Sequence, residues 1–179
     1  MSKSQKAIDA IVAQGILPLY FNSDDTVSIE ILRAIHRAGI KAVEYTNRGE
    51  AAFNNFKKMV AIKNQEMPEM LLGIGTIKTL QQAKDYVGAG ADFMVRPGFV
   101  PEVAAYAISN DVFYAPGCMT PSEIIAAENA GVKFIKLFPG NMLGPEFLSS
   151  IKEIFPKLLF MPMVYNPNAY IPSIRKLML

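Results

Sequence analysis

At 179 residues, 51% hydrophobic and 19% charged, the chain has the length and apolar content of one globular domain with an ample core. A net charge of +2 without a run of like charges is no footprint for nucleic acid or an anionic membrane surface, and no stretch is apolar for long enough to span a bilayer. One cysteine, Cys118, excludes an internal disulfide framework, and the opening residues lead into too short an apolar run for a signal peptide, so a soluble cytoplasmic protein is expected.

Ala7, Ile8, Ile11 and Val12 recur at helical spacing within residues 4–14, and Gly15 marks the stop. Residues 16–21 read as a short apolar strand in which Pro18 calls for a bulge or an edge-like position. Asn22, Ser23, Asp24 and Asp25 offer N-caps for a helix with Val27, Ile31, Ala34, Ile35 and Ala38 on one face, ended by Gly39. Further strands are expected at 42–45, 70–74, 92–95, 112–115, 132–140 and 158–161. Between them fall helices over about 50–64, from Thr79 to Gly88 or Gly90, over about 100–109, from Thr120 to Gly131, and over about 145–154. Thr79 with Gln82, and Thr120 with Glu123 around Pro121, have the spacing of capping boxes. Strand and helix alternate with short connections, the pattern of parallel βα units, and a barrel is favoured over an open sheet.

Lys136 sits among Phe134, Ile135 and Leu137 in the sixth strand, where an ammonium is costly to bury unless paired or neutral. Burial lowers a lysine pKa, and a neutral amine attacks a ketone to give a Schiff base. Taken alone, the stretch favours a strand-end lysine snorkelling to solvent. A weak repeat adds a second charge: an Ala-Gly pair and then a strand recur at 38–44, 89–95 and 130–136. Counted from the pair, Glu44, Val95 and Lys136 hold the same place on strands two, four and six. In a (β/α)8 barrel a layer of interior side chains comes from alternate strands, which puts Glu44 and Lys136 together near the C-terminal mouth. They form either an acid–base and nucleophile pair or a buried ion pair without chemistry.

Four pieces now stand in order over roughly residues 5–163: Val43-Glu44-Tyr45-Thr46-Asn47-Arg48, Gly73-Ile74-Gly75-Thr76, Pro116-Gly117-Cys118-Met119-Thr120-Pro121-Ser122-Glu123 and Ile135-Lys136-Leu137-Phe138-Pro139-Gly140. Together they resemble the 2-keto-3-deoxy-6-phosphogluconate / 4-hydroxy-2-oxoglutarate aldolases, class I, trimeric (β/α)8 lyases that use neither metal nor cofactor. The resemblance implies that Lys136 is the Schiff-base lysine and Glu44 the general acid/base, moving protons through a water. It implies that Arg48 binds a carboxylate or phosphate oxygen and that Thr76, beyond Gly75, holds the pyruvyl carboxylate. Phe138 would wall the pocket, with Pro97 and the Pro116-Gly117 turn near it. The expected partners are a small keto-acid substrate and two further copies of the chain.

Three departures from the family pattern qualify this. After strand seven the family runs into Pro-Thr-Gly-Gly, whose amides help hold a phosphate; here Met161-Pro162-Met163-Val164 follows, without the permissive glycines. Residues 166–179 are too few for the family's remaining helix, eighth strand and final helix. Arg96 replaces a small residue after strand four, and either projects into the mouth or points to solvent. The expectation is therefore an α/β, (β/α)8 TIM-type barrel left incomplete, with about seven strands and the eighth βα unit missing. Residues 1–163 form the aldolase-like barrel and 164–179 a divergent tail, with a turn and a short helix from Pro172, partly covering the seam between strands seven and one.

His36, without a partner at ligand spacing, reads as part of a solvated helix face, and Cys118 as a small core residue. Two other functions compete with the lyase: an impaired barrel that binds pyruvate or serves as an assembly subunit, and a pyruvate-handling lysine barrel such as an oxaloacetate decarboxylase.

Overall fold

The computed structural model describes residues 1–163. Eight parallel strands alternate with seven helices in the order α1 (Lys3–Gln14), β1 (Leu19–Tyr20), α2 (Asp25–Arg37), β2 (Ala42–Thr46), α3 (Ala52–Glu66), β3 (Leu71–Gly75), α4 (Leu80–Gly88), β4 (Phe93–Val95), α5 (Pro101–Ser109), β5 (Phe113–Ala115), β6 (Gly117–Cys118), α6 (Pro121–Asn129), β7 (Phe134–Leu137), α7 (Gly140–Ile154) and β8 (Leu159–Pro162). Strands β1 to β5 pair in sequence order, and β6 to β8 form a second ladder. This is a TIM-type α/β wall that does not close: among the described residues β1 and β8 do not pair. The expected tail helix and its cover over the seam lie outside the described residues. No helix among the described residues is long and apolar enough to cross a membrane.

The two ladders meet at Pro116. Having no N–H, proline cannot continue a ladder as donor, but its carbonyl accepts from the Lys136 amide at 2.9 Å. Before it, β5 pairs with β4; after it, β6 pairs with β7, with Gly117 opposite Lys136. The chain expected to turn here is thus one strand that changes partner, and β5 with β6 counts as the fifth of seven. Pro18 behaves as its chemistry requires, at the entry to the two-residue β1, with its carbonyl accepting from the Glu44 amide at 2.9 Å.

Side-chain alternation sorts the core into two clusters. Val43, Tyr45, Leu72, Ile74, Met94 and Ile135 face outward against the helices. Ala42, Leu71, Phe93, Phe113 and Phe134 face inward, where Ala7, Ile8 and Ile11 of α1 pack on them. Helix α1 therefore plugs the lower end of the barrel. Asp111 ties down its first turn, accepting from the Lys3 and Ser4 amides, and Gln14 ties down its last by bonding Ala42. The rings of Phe113 and Phe134 meet edge-on at 5.1 Å. Full burial of each such ring stabilises by about 1.5–3 kcal/mol.

Most helix ends obey their local signals. Thr120 and Glu123 make the full capping box, and Asp24 caps α2. At α4 the Thr79 hydroxyl accepts from the Gln82 amide, but the Gln82 side chain accepts from Lys78 instead of Thr79, so the box is displaced by one residue. The apolar face read for α2 is corrected. Ser28 and Leu32 are buried while Val27 is 42% exposed. The Ser28 hydroxyl bonds the Asn22 and Asp24 carbonyls, so a small satisfied polar residue occupies the inner face and the helix rotates accordingly. Helix α7 begins five residues earlier than expected, with a break at Gly144, whose φ is 70°.

Candidate active site

Two residues above Ala42 on β2 stands Glu44, and two above Phe134 on β7 stands Lys136. Both therefore share the inward face, one step above the aromatic floor. Glu44 is 2% and Lys136 5% exposed, so neither charge is solvated by bulk water. Burial pushes the Glu44 carboxyl up to about 7, opposed by the positive charges of Lys136 and Arg48. Burial lowers the Lys136 pKa, with Glu44 opposing the shift and Arg48 adding to it. Each group feels the other two, so the three ionisable residues expected at the mouth are brought together. The exposed Arg48 stands at the rim, two residues beyond the end of β2.

The glycines of β3 are spaces for particular groups. A Cβ on Gly75 would lie 1.6 Å from Glu44 Oε1, so the carboxylate occupies the volume that any side chain there would need. A Cβ on Gly73 would lie 2.0 Å from the Phe93 ring. The two substitutions separate function from stability. Gly75→Ala is expected to displace the Glu44 carboxylate and lower turnover about 100-fold, the scale of a misplaced reacting group. Gly73→Ala is expected to lower stability by about 1–3 kcal/mol through overpacking. Steady-state kinetics beside thermal unfolding of both variants checks the pair; a Gly75→Ala protein with full turnover contradicts it.

The other expected contacts are placed as follows. The Phe138 ring centre lies 5.0 Å from Lys136 Nζ, a cation–π distance. The Pro97 carbonyl packs on Gly117, where a Cβ would approach it to 2.3 Å, and Gly117 is the register partner of Lys136. Thr76 follows Gly75 with a φ of 62°, a left-handed conformation that β-branched residues rarely adopt. Arg96 corrects both options read for it: 2% exposed, it points neither into the mouth nor to solvent but is buried behind β4, where Nη2 donates to the Lys78 carbonyl at 2.7 Å.

Sequence reasoning missed the bracing of the mouth. The Tyr86 hydroxyl donates to Asn47 Oδ1 at 2.8 Å, and the Asn47 amide donates to the Gly75 carbonyl at 2.9 Å, linking α4 to the ends of β2 and β3. Asn47 lay within a matching motif, but no local pattern pairs it with a tyrosine 39 positions away. Cys118 is buried, and burial pushes its thiol up to about 12, as suits a core residue. His36 lies on an outer helix face, with Nε2 2.6 Å from Glu69 Oε1.

Known proteins resemble this chain in sequence and fold. The family model "Aldolase: KDPG and KHG aldolase" matches residues 8–168. The 2-dehydro-3-deoxy-phosphogluconate aldolase of Treponema pallidum is 33% identical over 136 residues, covering 75% of this chain and 63% of that protein. The KHG/KDPG aldolase of Escherichia coli is 26% identical over 164 residues, 90% of this chain and 75% of its own. The chain thus spans under two thirds of the length of the Treponema relative. A KDPG aldolase from Legionella pneumophila, solved with pyruvate captured as a covalent carbinolamine intermediate, superposes with a TM-score of 0.80 at 26% identity, covering 88% of this chain and 75% of that one. The 2-keto-3-deoxy-6-phosphogluconate aldolase of Zymomonas mobilis has the same fold, with a TM-score of 0.85 at 22% identity over 96% of this chain and 80% of that one. Inward lysine and glutamate, the glycine that makes room for the glutamate carboxylate, and a family match over residues 8–168 lead to one assignment: the chain belongs to the KDPG and KHG aldolase family.

Proposed function

We propose that the protein is a Schiff-base aldolase cleaving a 2-keto-3-deoxy acid, either 2-keto-3-deoxy-6-phosphogluconate or 4-hydroxy-2-oxoglutarate, to pyruvate and an aldehyde. The observation that carries this reading is the pair of buried groups on one inward face, each displaced toward its neutral form. Burial that disfavours the ammonium raises the share of neutral, nucleophilic amine, and a carboxyl near 7 both takes and returns protons at neutral pH. The family match and the carbinolamine in the Legionella relative support the same chemistry.

The steps follow from these groups. Neutral Lys136 Nζ adds to the C2 ketone, and the carbinolamine hydroxyl leaves as water with a proton that the Glu44 carboxyl supplies through a water, giving a protonated imine and the Glu44 carboxylate. Glu44, acting through a water, takes the proton of the C4 hydroxyl as the C3–C4 bond breaks. That bond's electron pair moves into the enamine and the aldehyde departs. The carboxyl then returns a proton to C3, and water hydrolyses the imine, freeing pyruvate and the amine. Arg48 and Thr76 bind the anionic oxygens of the substrate, while Phe138 and Pro97 wall the pocket. Residues 1–163 carry this machinery in the proposal, working within the homotrimer that the resemblance implies.

Borohydride reduction in the presence of pyruvate tests the reading. A covalent pyruvyl adduct is expected on Lys136, located by peptide mass analysis. A folded protein that gains no adduct there contradicts the mechanism.

A further inference from the structure

The loop joining β3 to α4 is tied at both ends. At its start the Gly75 carbonyl accepts from the Asn47 amide, and at its end the Lys78 carbonyl accepts from Arg96 Nη2 at 2.7 Å, across 18 positions of sequence. Ile77 between them is fully buried. Thr76 lies inside this span with its φ of 62°. A non-glycine residue holds such a conformation only where its surroundings over-determine it, so the ties at 75 and 78 are what keep it there.

Arginine is a costly choice for this tie. The side chain is 2% exposed, yet Nε and Nη1 find no acceptor among the described residues. The Tyr114 hydroxyl beside it favours its charge, as does Glu102 at the start of α5, but neither offsets the burial that lowers its pKa. Burying a guanidinium whose desolvation outweighs its partners is costly, and an apolar side chain of similar length would fill the space without that cost. Packing alone therefore does not account for Arg96. Its reach to a backbone carbonyl beyond Thr76 does.

We infer that Arg96 is a positioning residue for the pyruvyl end of the substrate: by holding the Lys78 carbonyl it keeps Thr76 in its left-handed conformation at the mouth. The role of Thr76 rests on the aldolase reading above; the bracing of the loop does not.

The test combines hydrogen–deuterium exchange with pyruvate trapping in the full chain. In Arg96→Met, exchange of the amides at 76–79 is expected to accelerate. The pyruvate concentration for half-maximal borohydride trapping is expected to rise on the order of tenfold, with the trapping rate at saturation unchanged. Arg96→Lys, which keeps one donor, is expected to recover part of both effects. In a Thr76→Ala background, Arg96→Met is expected to shift half-saturation little further, because both changes act through one contact. Unchanged loop exchange in folded Arg96→Met overturns the inference, as does an equal shift in the two backgrounds. If Arg96→Met does not fold, Arg96→Gln carries the same comparison. If the wild-type chain forms no adduct at Lys136, the aldolase reading falls, and loop exchange still decides whether Arg96 braces residues 76–79.

Discussion

Lys136→Met is expected to lower the turnover of pyruvate release by about 10⁴–10⁶-fold, the scale on which removing a nucleophile acts. The carbinolamine needs a nitrogen lone pair, and the Phe138 ring beside Lys136 Nζ supplies none. Methionine matches the lysine stem in length and flexibility, so the variant is expected to fold. It is also expected to unfold at the same or a higher temperature than the parent, since an ammonium that burial disfavours has been removed. Circular dichroism beside the kinetic assay separates lost chemistry from lost structure. A folded Lys136→Met protein within tenfold of the parent would mean that the amine is not the nucleophile.

Glu44→Gln tests the other half of the pair, and pH is the informative variable. Removal of an acid–base group is expected to lower turnover about 10²–10⁴-fold and to abolish the rise in activity through pH 7 that the carboxyl's position near 7 predicts. Stability should respond in the opposite sense. The folded carboxyl titrates at about 7 and its ordinary value is 4.5, so between these limits the folded protein holds a proton that the unfolded chain has released. Stability is therefore intact below pH 4.5 and falls as pH rises toward 7. At about 1.4 kcal/mol per unit the loss amounts to roughly 3 kcal/mol above that window. Glutamine carries no such proton. The variant is expected to equal the parent near pH 4 and to exceed it in melting temperature at pH 8. Coincident melting curves at both pH values would show that the carboxyl is not displaced by burial.

The parts of this molecule legible in its sequence were those governed by local rules or by a regular period. Gly15, Gly39 and Gly131 end or follow their helices with positive φ because only that conformation reverses the chain there cheaply. The inward placement of Glu44 and Lys136 followed from a repeat whose period survives in the strand register. What escaped was set by partners far away in sequence. Ser28 on the inner face of α2 contradicts an apolar-stripe reading because its hydroxyl is satisfied by the turn before the helix. Arg96 looked like a mouth or surface charge because burial without a carboxylate is rare, and only the fold brings the Lys78 carbonyl within its reach. The bond between Tyr86 and Asn47 is likewise invisible until α4 lies beside the ends of β2 and β3.

The change of partner at Pro116 also orders the assembly of the site in time. Glu44 belongs to the first ladder and Lys136 to the second, with the switch between them. At a synthesis rate of about 5–20 residues per second, roughly 5–20 s separate the two residues on the ribosome. During that interval the first ladder lacks one of the two cations that oppose protonation of Glu44, Lys136, and holds only Arg48. The lysine in turn remains an ordinary solvated ammonium, inert toward ketones, until the second ladder docks. On the aldolase reading, reactivity toward a ketone then belongs to the joined wall, where burial disfavours the Lys136 charge, and not to either ladder alone.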